Sequence, residues 1–148
     1  MGSGPKYLAD KYFGPDPILL NSLLAWLVIL ALAIANGAFR EAVLIPSLGR
    51  PGGLVVSGLL LSAFVAIVAY GLVRVSRGIT AAQGLRIGFL WLGLTLAFEF
   101  AFGRFVQHQS WTELLDAYTF KDGNIWPVVL LVVLFAPSLA ALLQARSR

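Results

Sequence analysis

The chain of 148 residues is sized for a single domain, but only 12% of its residues are charged while 59% are hydrophobic. A soluble domain of this length would carry about a quarter charged residues, so the composition is that of a membrane protein. There is no cysteine, which excludes disulfides, thiolate metal ligands and cysteine nucleophiles together. The net charge of +4 accompanies no nucleic-acid-binding motif, and anionic lipid headgroups are the expected partner of its arginines.

Residues 1–16 form a short polar lead in which Tyr7, Leu8, Tyr12 and Phe13 alternate with Lys6 and Lys11, a pattern suited to the headgroup level of a bilayer. Residues 17–148 read as one transmembrane domain. Three stretches, Pro17–Phe39, Pro51–Val73 and Gly123–Ala145, carry no charge at all, and Ile87–Gly103 is broken only by Glu99. Each approaches or exceeds the roughly 20 helical residues needed to cross about 30 Å of hydrocarbon. Short segments of alternating polarity, the mark of a closed barrel, are missing. The expected fold is therefore all-α, a bundle of four transmembrane helices over about 18–39, 54–73, 87–106 and 125–143.

Pro46, Gly49, Pro51 and Gly52 predict a first loop that stops helix 1, and Pro137 predicts a kink in the last helix. Gly58, Ser62 and Ala66 on the second helix, with Gly93, Ala97 and Ala101 on the third, form small-residue rows that allow close backbone approach. Lys and Arg divide seven (Lys6, Lys11, Arg74, Arg77, Arg86, Arg146, Arg148) to four (Arg40, Arg50, Arg104, Lys121) between the two sides. Positively charged short loops stay cytoplasmic, so both termini are expected there. The first span is too long, and too closely preceded by Asp10, Asp16 and Pro15, for a cleaved signal sequence.

Between helices 3 and 4, Trp111, Leu114, Leu115 and Tyr118 recur at helical spacing, and Ser110 with Glu113 has the capping-box pattern. A short helix over about 111–120 lying flat on the outer surface is expected, with Trp111 and Trp126 in the outer aromatic belt.

The residues that could carry chemistry are few. Glu99 sits inside an apolar helix, where an unpaired acid costs at least about 2.5 kcal/mol, so a partner is expected. Helical rise places Arg104 and Arg40 at a comparable depth, with Asn36 one turn from Arg40 on the same face. Asn36, Arg40, Glu99 and Arg104 are thus a candidate cluster, either a structural ion-pair network or a binding site, with Glu41 and His108 at its periphery. Two arginines against one acid would make a site that attracts an anionic or hydrogen-bonding solute or headgroup. The lone His108 excludes bis-His haem and a His-rich metal site within one chain, and no Walker loop, dinucleotide fingerprint or nucleophile elbow is present. No cofactor, metal or catalytic residue is indicated, which leaves a membrane enzyme third among the readings.

Ala35-Asn36-Gly37-Ala38-Phe39-Arg40-Glu41, Phe98-Glu99-Phe100-Ala101-Phe102-Gly103-Arg104, and Trp111-x-x-Leu114-Leu115 followed by Trp126-Pro127 resemble a pattern in small bacterial four-helix integral membrane proteins. The resemblance spans about residues 35–135. It implies a bacterial chain and no activity, and for a chain with these spans the expected location is the bacterial inner membrane. Motifs of the small fluoride channels and of the four-helix glutathione-transferring membrane enzymes are not present. Two functions remain as expectations: binding or transport of a small polar or anionic solute or a lipid headgroup, with transport favouring a homo-oligomer, or an accessory role in a larger membrane complex.

Overall fold

The computed structural model describes residues 4–6, 8 and 16–147, so most of the polar lead lies outside the described residues. The chain is all-helical, 88% helix with no strand among the described residues. Four long helices carry it. Helix α1 (Pro17–Phe39) opens under an Asp16 cap whose side chain accepts from the Ile18 N–H, with Pro17 where its missing donor costs nothing.

The first departure from expectation comes directly after Phe39. Instead of a loop, the chain continues through a π-helical turn, Arg40–Leu44, in which the Ile45 N–H reaches the Arg40 carbonyl. The wider turn hands over to α2 (Ile45–Ser76), whose first turn accepts Pro46. The reversal itself is concentrated at Gly49, whose backbone (φ 81°, ψ 166°) no side-chain-bearing residue adopts readily. Pro46 therefore lies in helix, and one glycine supplies the break that four turn-forming residues had predicted.

Thr80 and Gln83 form a reciprocal capping box that starts α3 (Ala81–Ala101), six residues before the expected start. A second π-helical turn, Phe102–Val106, ends it, with the Gln107 N–H on the Phe102 carbonyl. The short helix α4 (Trp111–Asp116) starts with the Ser110/Glu113 box as expected, but gives way to turns and a 3-10 turn at Lys121–Gly123. The last helix, α5 (Trp126–Arg146), runs through Pro137 with no non-helical residue inside it.

Helix α5 is the hub, packed along α3 and α2, while α1 lies chiefly against α2 and meets α3 only in places. Trp91, Val65, Val73 and Val129 are the largest fully buried side chains and mark the core. The contact of α3 with α5 is a backbone approach: a Cβ on Gly84 or Gly88 would collide with the main chain of Pro137–Ser138 or of Leu134. The row that packs α3 is thus Gly84 and Gly88. The expected row of Gly93, Ala97 and Ala101 faces outward instead. Hydrogen bonds from Asn21 to Ser76, Ser138 to Ala81 and Gln144 to Tyr70 place the start of α1 and the C-terminal half of α5 beside the α2–α3 turn.

Among the described residues, three helical segments are long and apolar enough to cross a membrane: Pro17–Ser76, which doubles back at Gly49, Ala81–Val106 and Trp126–Arg146. Large apolar side chains such as Leu24, Ile34, Leu59, Ile67, Phe89, Leu131 and Leu139 face outward on all of them.

Candidate functional site

Two indole donors, those of Trp91 and Trp26, tie α1 to α3. Trp91 Nε1 donates to the Ser22 carbonyl at 2.9 Å, and Trp26 Nε1 donates to Thr95 Oγ1 at 3.1 Å. A buried indole needs an acceptor, and these two find theirs on the facing helix. Beyond Thr95, toward the end away from the termini, α1 and α3 become opposite walls of a cavity of about 740 Å³. That volume is within the roughly 300–1,000 Å³ typical of small-molecule sites. Its inner walls are apolar, from Leu30 and Ala33 on α1, Leu61 and Val65 on α2, Phe98 on α3 and Val133 on α5. Its rim is polar, with Arg40, Glu41, Gln107, Gln109 and the 116–124 segment.

Glu99 lines this cavity, and its partners correct the expectation drawn from depth. Tyr118 Oη and Trp126 Nε1 both donate to Glu99 Oε2, each at 2.8 Å. No ion pair joins Glu99 to Arg40 or Arg104. An acid in an apolar wall can be satisfied by neutral donors whose rings bury well, and this avoids moving a second charge out of water. Burial, followed by donation to Glu99, pushes the Tyr118 phenol above its ordinary range, so it remains a neutral donor. Tyr118 is held in place by stacking on Phe100 at 6.0 Å between centroids. Both bonds fall on Oε2, leaving Oε1 without a hydrogen bond from the described residues.

Asn36 and Arg40 separate although they share a face of α1. Asn36 is buried, and its Nδ2 donates to the Ser57 carbonyl and to Ser57 Oγ, at 3.1 and 2.8 Å, locking α1 to α2. Its Oδ1 is buried without a partner. A recess of about 40 Å³ lies beside it, lined by Asn36, Arg40, Ser57 and Asn124 and sharing Arg40, Asn124 and Trp126 with the large cavity. Arg40 stands between the two spaces with its Nε on Glu41 Oε1 at 3.2 Å.

Arg104 leaves the cluster altogether. It lies outside the cavity lining, donates to the Gln109 carbonyl at 3.1 Å, and rests over the Trp111 ring 5.6 Å from its centroid. His108 is exposed, adopts a left-handed backbone conformation and does not line the cavity either. Of the four candidate residues, Arg40 and Glu99 share the large cavity, Asn36 lies beside it, and Arg104 points elsewhere.

The charge on the lining also differs from the net-positive cluster. Arg40, Arg50 and Lys121 each have a lining carboxylate beside them, Glu41, Asp122 and Asp116, at 3.2, 3.9 and 3.9 Å. Glu113 is occupied as the reciprocal partner of the Ser110 backbone. Glu99 and Glu113 are the lining charges without a counter-ion among the described residues, and Glu99 is the one on an apolar helix wall.

Sequence reasoning missed Tyr118 and Trp126 as partners of Glu99, and Trp26, Thr95 and Ser57 as the ties that shape the walls. A signal existed for the first two: an acid far from any cation must find hydrogen-bond donors, and the tryptophans and tyrosines near that depth are the apolar side chains that carry one. Trp126 is half-buried and turns its indole N–H to Glu99. The chain matches no protein-family model, no curated protein and no solved structure.

Proposed function

We propose that the chain is an integral membrane protein that binds a small polar solute or a lipid headgroup in the cavity between α1 and α3. The observation that carries this reading is the cavity itself: drug-sized, apolar within, polar at the rim, and holding Glu99 on its wall. Embedding is supported by the outward-facing apolar residues, since soluble monomers rarely expose apolar patches larger than a few hundred Å². The proposed setting is a bacterial inner membrane crossed four times, with both termini cytoplasmic. It is supported by the resemblance to small bacterial four-helix membrane proteins and by the seven-to-four division of Lys and Arg. The anionic form of the expected ligand rested on two arginines against one acid. With Arg104 off the lining and Arg40 beside Glu41, that basis is gone.

Native mass spectrometry of the protein extracted with its surrounding lipid tests the reading. The wild type should retain a bound small molecule or a defined lipid, and Ala33→Trp, which fills the cavity, should lose it while melting normally. Equal retention by both would refute the cavity as the binding site. Transport by four helices would favour a homo-oligomer, because one bundle has little room for a pathway. An accessory subunit of a larger membrane complex is the second reading, favoured by the outward row of Gly93, Ala97 and Ala101, which could accept a partner helix closely.

A further inference from the structure

Three observations about the cavity point to the same ligand chemistry. Glu99 is an acid on the wall whose two protein partners are neutral, and each lining cation already has a carboxylate beside it. The unused acceptors, Glu99 Oε1 and the buried Oδ1 of Asn36 at the adjoining recess, both call for a donor or a positive charge. Among the described residues the aromatic side chains of Trp26, Phe98, Phe102 and Trp126 line the cavity with Glu99. Aromatic faces attract cations, and the attraction grows when water is excluded.

We propose that the cavity selects organic cations, amine- or onium-bearing molecules with an apolar body, the charge resting beside Glu99 and the body among the aliphatic and aromatic walls. This rests on the reading that the cavity binds a ligand at all. A metal cation is disfavoured by the donor set, because a single free carboxylate oxygen among aromatic rings lacks the six or more oxygens of a hard-cation site. An anion would meet the Glu99 carboxylate, which has no counter-ion among the described residues.

The test compares three probes of similar shape on the full-length protein in zwitterionic nanodiscs: benzyltrimethylammonium, its neutral carbon isostere neopentylbenzene, and the anion phenylmethanesulfonate. Binding is read from indole fluorescence and confirmed by loss in Leu30→Trp, which fills the cavity. In the wild type the cation should bind about tenfold or more tightly than the neutral isostere, the anion weakest. Glu99→Gln, which can still accept from Tyr118 and Trp126, should erase that preference and leave the neutral probe unchanged. Equal affinity for cation and isostere, tighter anion binding, or a cation preference that survives Glu99→Gln would each overturn the proposal. Neutral binding that Leu30→Trp abolishes would in those cases leave the cavity reading standing. Probe binding indifferent to Leu30→Trp would count against both. Should Glu99→Gln fail to fold, the order of the three probes on the wild type decides.

Discussion

Trp126 Nε1, at the first position of α5, donates to Glu99 Oε2, near the end of α3, at 2.8 Å. The bond joins the two helices whose backbones already touch at Gly84 and Gly88, and it closes their contact at the opposite end of the bundle. The acid therefore belongs to the α3–α5 pair and not to α1, which decides which mutations should couple to it.

Double-mutant cycles should separate the two possibilities. Glu99 and Trp126 should show a coupling of about 1 kcal/mol or more in thermal or denaturant stability, because they share a half-buried hydrogen bond to a carboxyl. Glu99 and Arg40, without a contact, should couple by less than about 0.5 kcal/mol. A larger Arg40–Glu99 term would restore the ion pair that depth alone had favoured.

Tyr118→Phe removes one donor from Glu99 Oε2 and keeps the ring on Phe100. It should lower stability by about 1 kcal/mol, a few degrees in melting temperature, without changing helical content. Tyr118→Ala loses the stacking as well and should cost more. If the two variants melt alike, the hydroxyl and not the ring is what matters there.

Gly88→Val should be among the most damaging single substitutions, since its Cβ would overlap the Leu134 carbonyl and part α3 from α5. The expected loss is about 3 kcal/mol or more, comparable to severe overpacking. Gly93→Val is the control, because nothing lies within 4 Å of its Cβ position. Should Gly93→Val instead disrupt a native oligomer while the monomer stays folded, the outward row would be an interface.

Reporter fusions near Arg146 and in the α3–α5 connection should report opposite sides, with the former cytoplasmic. An extracytoplasmic signal near Arg146 would reverse the orientation and place the cavity mouth, with its charged rim, on the inner face.

Spin labels on α4 should differ strongly between neighbours. Leu114 is buried, its side chain over Gly103, whereas Leu115 and Trp111 point out. A label at Leu114 should be immobilised or unfold the segment, one at Leu115 should be accessible to lipid, and one at Glu113 to water. A mobile, water-exposed label at Leu114 would mean that α4 does not cover the end of α3.

The composition and the uncharged stretches determined the class of this protein: all-helical, with helices long and apolar enough to span a bilayer. They could do so because twenty-odd apolar residues admit few alternatives. Local chemistry was legible too where it is local, as in the Ser110/Glu113 box, whose two bonds close within four residues. The partners of Glu99, the outward turn of Gly93, Ala97 and Ala101, and the separation of Arg104 from Arg40 were decided by the tertiary structure. Depth along a helix can be had by counting residues, but azimuth depends on which neighbour each face meets. In helices apolar on every side, such as α3, periodicity carries no record of that choice. Backbone approach at Gly88 turned α3 so that Glu99 met Tyr118 and Trp126, and an acid that residue counting had matched with two arginines was satisfied by two neutral donors.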